Sequence, residues 1–137
     1  MRRLAASLLA TLAAITTLSV SGGPAQAATP ACTVSYLVVN QWSSVFQAQI
    51  TVSYTGFQPA YGWTLSFDFT SSGQRILNVW NGNWSQAGEH VTVSSGAYSS
   101  EVPSGGSLSL GFTGSYVGVN PPPDDFAFDG IPCSVPQ

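Results

Sequence analysis

Three stretches of the chain alternate strictly between apolar and polar residues. They read FQAQITVSY (46–54), WTLSFDF (63–69) and SLSLGFT (107–113). A period of two places every second side chain on one face of a strand, whereas a helical stripe recurs with a period of about 3.6. β-Branched and aromatic residues fill many of the apolar positions, as in strands that bury one face. These stretches predict half-buried β-strands.

Turn-forming segments separate these strands from four shorter candidates. The candidates cover 34–39, 75–79, 90–94 and 126–129, and the separating segments are TGFQPAYG, SSGQ, NGN, QAG, PSGG and NPPPDD. No stretch keeps a helical period over about ten residues. Short strands at this spacing predict an all-β fold, an antiparallel β-sandwich of jelly-roll or immunoglobulin-like type.

The two cysteines, Cys32 and Cys133, lie at opposite ends of the predicted domain. In an exported chain an even pair predicts a disulfide, which would bring the terminal strands together. A bridge that closes a loop of about 100 residues stabilises a fold by roughly 4–5 kcal/mol in the chain-entropy model. A metal site would need more ligands than two distant thiols and His90 supply, so neither a metal nor another cofactor is expected.

The first 27 residues have the layout of a secretory signal peptide. Arg2 and Arg3 precede the apolar run LAASLLATLAAITTLSV, and Ala25-Gln26-Ala27 matches an A-x-A cleavage site. The run has 17 residues, which is short for a membrane span, although a retained anchor is the alternative. We expect a secreted, extracellular protein with a signal peptide (1–27) and one domain (28–137).

The charge of residues 28–137 excludes several classes of partner. Removing Arg2 and Arg3 from the three cations of the chain leaves Arg75 alone against six acids, a net charge of 1 − 6 = −5. Binding to nucleic acid requires many cations that displace counterions from phosphate, so this partner is excluded, and anionic membranes are disfavoured. The remaining polar surface is neutral and suits a neutral partner, and we expect a monomer.

Several aromatic residues lie outside the alternating stretches. Trp42 lies near a predicted turn, Trp80 and Trp84 flank the NGN turn, and Tyr98 lies in the polar segment SSGAYSSE. Trp63 instead has the parity of the apolar strand positions, which predicts a core residue. Several exposed rings indicate a binding surface, although they could equally cap the open ends of a sandwich.

A series of short motifs runs through the chain in a fixed order. It comprises Cys32-Thr-Val-Ser-Tyr, Asn40-Gln41-Trp42 followed by Phe46, Gly62-Trp63-Thr64-Leu65, Asn78-Val79-Trp80-Asn81, Pro103-Ser104-Gly105-Gly106, Gly111-Phe112-Thr113-Gly114, and Asn120 through Pro123 with Phe126, Gly130 and Cys133. In order and spacing this series resembles the family 2 carbohydrate-binding modules, in particular their cellulose-binding subgroup. The resemblance covers residues 32–134 and rests on the whole series, since no single tetrapeptide is decisive.

The resemblance implies a non-catalytic domain with a flat strip of exposed aromatic residues on one face of the sandwich. The strip positions correspond to Trp42, Trp80 and Tyr98, and Trp63 matches the family's buried tryptophan. Polar residues that assist binding correspond to Asn40, Gln49, Asn78, Ser109 and Thr113. The implied ligand is insoluble β-1,4-glucan (cellulose), with chitin as a second candidate because it offers the same C–H face.

Three positions depart from the family's pattern. Tyr98 stands where tryptophan is usual, which reduces the stacking area and adds a hydroxyl. Val45 replaces a common glycine and could shift the turn that presents Trp42. Trp84 stands where a smaller residue is common, and it would either extend the binding surface or cover the edge of the sandwich.

The acidic residues do not predict an enzyme. Glycoside hydrolysis needs two carboxyl groups placed across one bond, but Asp68 lies on a strand face and the other acids occupy scattered loops. His90 is expected at the surface, and Asp124 and Asp125 are expected to be solvated rather than to hold Ca²⁺. Two further classes stay open: a secreted β-sandwich that binds a protein, such as an enzyme inhibitor, and one that binds a small apolar ligand in a cleft.

Overall fold

A computed structural model describes residues 31–136, so the predicted signal peptide lies outside the described residues. In this part of the chain there are eleven β-strands and no helix, and hence no helix that could cross a bilayer. The strands are β1 Cys32–Trp42, β2 Val45–Tyr54, β3 Ala60–Tyr61, β4 Thr64–Asp68, β5 Arg75–Trp80, β6 Asn83–Ala87, β7 His90–Ser94, β8 Glu101–Val102, β9 Ser107–Ser115, β10 Asp124–Phe128 and β11 Ile131–Pro132.

The strands form two main antiparallel sheets. Sheet I has the order β1-β2-β9-β5, and sheet II has the order β11-β10-β4-β7-β6. The short strands β3 and β8 pair with each other where the chain crosses between the sheets. This arrangement confirms the predicted antiparallel β-sandwich.

The core lies between the sheets and contains the apolar residues of the alternating stretches. On β2 and β9 the fully or nearly fully buried residues are Phe46, Ala48, Ile50, Val52, Leu108, Leu110 and Phe112. Trp63 is completely buried, its Nε1 donates a hydrogen bond to the Ser99 carbonyl at 2.7 Å, and its ring stacks on Phe128 with centroids 6.0 Å apart. The prediction of a core tryptophan is confirmed.

The ends of the domain are joined as the cysteines predict. Cys32 and Cys133 form a disulfide with their Cα atoms 4.8 Å apart. Next to it, Thr33 and Ser134 form a parallel bridge, so the segment after β11 runs beside the beginning of β1. The disulfide therefore closes almost the whole domain into one covalent loop.

The strands that carry the tryptophans differ from the prediction. β1 extends to Trp42, β5 extends to Trp80, and Trp84 lies in β6, a strand that the sequence did not predict. The register shifts between Val38 and Asn40 on β1 and between Ile76 and Asn78 on β5, which are bulges that reverse the side-chain parity within each strand. The expectation that these rings lie outside strands is therefore wrong. For Trp42 and Trp80 the reason is that the bulges hide the period of two, whereas β6 pairs with β7 without a bulge.

Candidate functional site

Four cross-strand rows of outward side chains on sheet I form the surface that we call the outer face. The rows are Trp42, Val45, Ser115 and Arg75; Asn40, Gln47, Thr113 and Asn78; Leu37, Gln49, Gly111 and Trp80; and Ser35, Thr51 and Ser109. The residues of opposite parity on β2 and β9 are buried, so these rows point away from the core. The five predicted polar residues come from β1, β2, β5 and β9 and thus lie on one surface.

Trp42 and Trp80 lie at diagonally opposite corners of the outer face. Trp42 ends the edge strand β1 and is 56% exposed, and Trp80 ends the other edge strand β5 and is 39% exposed. Three strand spacings and two rows separate their Cα atoms, which corresponds to roughly 20 Å. Between the two rings lie the neutral side chains of the second and third rows.

Gly111 makes room for the indole of Trp80. The two residues are cross-strand neighbours in the third row, and a β-carbon at Gly111 would overlap the indole atoms Nε1 and Cε2. Gly111 does not have a positive φ, so glycine is required here for space and not for conformation. The indole consequently lies against the backbone of β9 instead of standing up from the sheet.

Tyr98 lies beside the turn that follows Trp80. It is half-buried in the loop after β7, packs partly against the core, and donates a hydrogen bond from its hydroxyl to the Ser109 carbonyl at 3.2 Å. Asn81 Nδ2 donates to the same carbonyl at 2.8 Å. The structure therefore brings Tyr98 to the end of the outer face where Trp80 lies, but with less of its ring exposed than that of Trp42.

Hydrogen bonds also hold the backbone that carries Trp42. The hydroxyl of Tyr116 donates to the Trp42 carbonyl at 2.6 Å and accepts from Gln41 Nε2 at 3.3 Å. The Tyr116 ring packs edge-on against the buried ring of Phe46, with centroids 6.1 Å apart. Tyr116 thus links the exposed end of β1 to the core.

Trp84 has a different position from the other exposed-ring candidates. It lies opposite the buried Val93 on sheet II, and its ring centroid is 5.5 Å from that of Phe112 and 6.4 Å from that of Phe67. Its Nε1 donates to the Asn81 carbonyl at 2.7 Å. Of the two alternatives for Trp84, the core-facing position corresponds to covering the edge of the sandwich, and the outer face does not include this ring.

The sequence did not identify two residues of the outer face as part of the site. Leu37 lies in the third row, beside Gln49 and in the row of Trp80, and is 58% exposed. Gly111 was noted only as part of a motif. The parity of β1 before its bulge indicates that Leu37 faces outward. Only the cross-strand register shows that Gly111 lies beside Trp80.

The charged groups lie mainly away from the outer face. Within its four rows only Arg75 is ionised, and Arg75 Nη1 donates to the Gly88 carbonyl at 2.9 Å, at the turn between β6 and β7. On the outward side of sheet II, carboxylate oxygens of Asp68, Asp124 and Asp125 lie within 4.8 Å of one another, and Asp68 contacts His90 Nδ1 at 2.6 Å. These groups are partly or fully exposed, and acidic clusters of this kind are common without an ion.

A cleft of about 570 Å³ lies at the edge of the sandwich between β1 and β10, lined by Tyr36, Pro123, Phe126 and Pro136 among others. The Tyr36 hydroxyl is buried there without a hydrogen-bond partner in the described chain, and this burial raises the pKa of the phenol. Binding of a small apolar ligand would require exposed rings around such a cleft. Trp42 and Trp80 instead occupy the outer face, so the geometry favours an extended ligand.

A protein-binding alternative would use a protruding loop with one anchor residue. Phe57, between β2 and β3, is 99% exposed and has this character. Its loop is held by a bond from the Tyr54 hydroxyl to the Gln58 carbonyl at 2.6 Å. Phe57 lies outside the four rows, so substituting it distinguishes protein binding through this loop from polysaccharide binding through the outer face.

A β-sandwich with linked ends and a neutral face bearing exposed indoles defines a class of protein, the polysaccharide-binding modules. The family model described as the cellulose binding domain matches residues 32–133. The chain belongs to this family, the family 2 carbohydrate-binding modules, and the family predicted from the sequence is confirmed.

Known proteins agree with this assignment. Endoglucanase CelA of Streptomyces lividans is 39% identical over 134 residues, which is 98% of this chain but 29% of that protein. The solution structure of the cellulose-binding family 2 carbohydrate binding domain from ScLPMO10C has a TM-score of 0.59 and 31% identity, covering 74% of this chain and 97% of that one. The chitin-binding domain of Chi18aC from Streptomyces coelicolor has a TM-score of 0.62 and 26% identity, covering 75% and 94%.

Proposed function

We propose that the chain binds crystalline cellulose through the outer face, without catalysing a reaction, after export guided by residues 1–27. The observation that carries this proposal is the pair of exposed indoles on opposite edge strands of sheet I, with four of the five predicted polar residues in the second and third rows. A β-1,4-glucan has apolar C–H faces and hydroxyl edges. The rings cover the C–H faces, and the amides and hydroxyls of the rows reach the edges.

The exposed area of the rings is sufficient for useful affinity. With about 250 Å² for a whole indole, exposures of 56% and 39% leave roughly 140 and 100 Å² on Trp42 and Trp80. Covering this area at ~25 cal/mol/Å² yields about 6 kcal/mol. Tyr98 and hydrogen bonds to hydroxyl edges add to this, and association subtracts several kcal/mol. We expect roughly micromolar affinity, about −8 kcal/mol, which requires Tyr98 and the hydrogen bonds together to exceed the association cost by about 2 kcal/mol.

A rigid, crystalline ligand suits this surface. Trp80 is held against β9 by the space over Gly111, and Tyr116 fixes the carbonyl of Trp42, so little ring motion is lost on binding. The four rows carry one cation and no acid, which matches an uncharged ligand. Chitin offers the same C–H face, and the likeness to the chitin-binding domain of Chi18aC makes it the second candidate ligand.

The proposal is tested by depletion isotherms of the purified protein on microcrystalline cellulose and on chitin, with soluble xylan measured by affinity electrophoresis. The wild type is expected to bind cellulose, and Trp80→Ala and Trp42→Ala are each expected to lose at least tenfold in affinity. Release of soluble sugar is measured in the same samples and is expected to equal that of the blank.

Phe57→Ala is the matched control, because it removes a fully exposed ring that lies outside the outer face. It is expected to bind as the wild type does. A wild type that stays in the supernatant with every polysaccharide, or a Trp80→Ala variant that binds equally well, contradicts the proposed function. If Phe57→Ala loses binding while Trp42→Ala and Trp80→Ala keep it, the contact surface lies at the loop of Phe57 and not on the outer face.

A further inference from the structure

The turn between β5 and β6 has an unusual concentration of contacts. Asn81 and Gly82 form it, with positive φ values of 65° and 83°, and it carries the chain from β5 in sheet I to β6 in sheet II. Trp80 directly precedes this turn as the last residue of β5. The orientation of the indole on the outer face therefore depends on how the turn is fixed.

Asn81 is fixed from both sides. Its side-chain Nδ2 donates to the Ser109 carbonyl at 2.8 Å, and its own carbonyl accepts from Trp84 Nε1 at 2.7 Å. Trp84 is in turn packed against Phe112 in the core. The turn is thus tied to the backbone of β9 on one side and to a core-facing ring on the other.

The Ser109 carbonyl has a second donor. β5 pairs with β9 as far as Trp80 and Gly111, so the Ser109 carbonyl lies just beyond the point where the ladder ends. The Tyr98 hydroxyl donates to it at 3.2 Å, beside the Asn81 amide. One backbone oxygen therefore receives a bond from the turn that carries Trp80 and a bond from the ring of Tyr98.

From this geometry we propose that Asn81 is a positioning residue for binding. Trp84 holds its backbone carbonyl, and its side-chain amide donates to the Ser109 carbonyl that also accepts from Tyr98, so that Trp80 and Tyr98 form one preorganised contact. The proposal rests on the proposed function and extends it, because it assigns a role in binding to residues that do not contact the ligand themselves. In this proposal Trp84 anchors the turn through the Asn81 carbonyl and does not contact the ligand.

The first test uses Asn81→Gly, which keeps the positive φ without strain and removes the amide side chain. Affinity for crystalline cellulose is expected to fall about five- to tenfold, with a small change in melting temperature. Trp84→Phe, which keeps an apolar ring and removes the N–H donor, is expected to lose about threefold. Asn83→Ala, two residues further along, is the matched control and is expected to bind as the wild type does.

The second test is a pH profile of Asn81→Asp, which a purely structural role would not produce. The introduced carboxylate faces the Ser109 carbonyl and repels it, whereas the protonated acid can donate to that oxygen as the amide does. The ordinary pKa of the acid is about 3.9, and the opposing oxygen raises it. Affinity of this variant is therefore expected to rise severalfold as the pH is lowered from 7 to 3.5, while that of the wild type stays flat.

Failure of this proposal is distinguishable from failure of the proposed function. If the wild type binds and Trp80→Ala does not, but Asn81→Gly binds as tightly as the wild type, the positioning role is refuted and the binding face stands. A flat pH profile for a folded Asn81→Asp variant refutes it in the same way. If the wild type binds no polysaccharide, the proposed function itself has failed.

Discussion

A single added methyl group at Gly111 should weaken binding without unfolding the protein. In the Gly111→Ala variant the β-carbon would occupy the space of the Trp80 indole, so the ring must lift from the sheet. If tilting removes half of the roughly 100 Å² that Trp80 offers, about 50 Å² at ~25 cal/mol/Å² is lost. This corresponds to about 1.2 kcal/mol and a dissociation constant about sevenfold higher.

The stability of the same variant should change little, because the packing that the indole loses as it lifts offsets an entropic gain. Gly111 has no positive φ, and replacing such a glycine by alanine reduces the entropy of the unfolded chain by an amount worth about 0.4–1 kcal/mol. A depletion isotherm on crystalline cellulose and a urea titration of each variant separate the two effects. Weaker binding at nearly unchanged stability is the expected pair of results.

A double-mutant cycle makes the test specific. Once Trp80→Ala has removed the ring, Gly111→Ala has nothing to displace, so the double variant should bind no worse than Trp80→Ala alone. Additive losses would show that the methyl group disturbs the outer face by another route. Wild-type affinity in Gly111→Ala would refute the argument that the indole depends on this space.

Three further predictions concern other parts of the molecule. Tyr116→Phe removes the donor to the Trp42 carbonyl but keeps the ring, so affinity for crystalline cellulose should fall about threefold while the melting temperature changes little. Unchanged affinity would show that Trp42 does not need this hydrogen bond. Leu37→Ser should weaken binding to crystalline cellulose about two- to threefold, because Leu37 exposes 58% of its surface in the row of Trp80. Binding equal to that of the wild type would show that Leu37 does not contact the ligand. Replacing both Cys32 and Cys133 by serine should lower the melting temperature by at least about 10 °C, given the roughly 4–5 kcal/mol of the chain-entropy model, with cellulose binding retained at low temperature. An unchanged calorimetric trace would contradict the stabilising role.

The sequence predicted the parts of the fold that follow from side-chain parity. The alternating stretches correspond to β2, β4 and β9 within two residues at either end, and the buried position of Trp63 follows from the same parity. The cysteines correctly predicted that the terminal strands meet. These features are local or depend on one covalent bond, which is why a single sequence contains them.

The remaining features depend on register, which composition and periodicity do not encode. The bulges at Val39 and Leu77 reverse the parity of β1 and β5, so the strand positions of Trp42 and Trp80 were missed. The juxtaposition of Gly111 and Trp80 depends on a pairing between strands that are far apart in sequence. The motif series implied which rings form the binding strip, but the support of those rings by hydrogen bonds appears only in the folded chain.

The disulfide between Cys32 and Cys133 has a mechanical consequence. Its Cα atoms are 4.8 Å apart, so chain segments before and after the domain leave it at nearly the same point. A pulling force applied through those segments would pass through one covalent S–S bond and would not stretch the sheets. Tension between the two flanking segments therefore does not reach the strands that present Trp42 and Trp80.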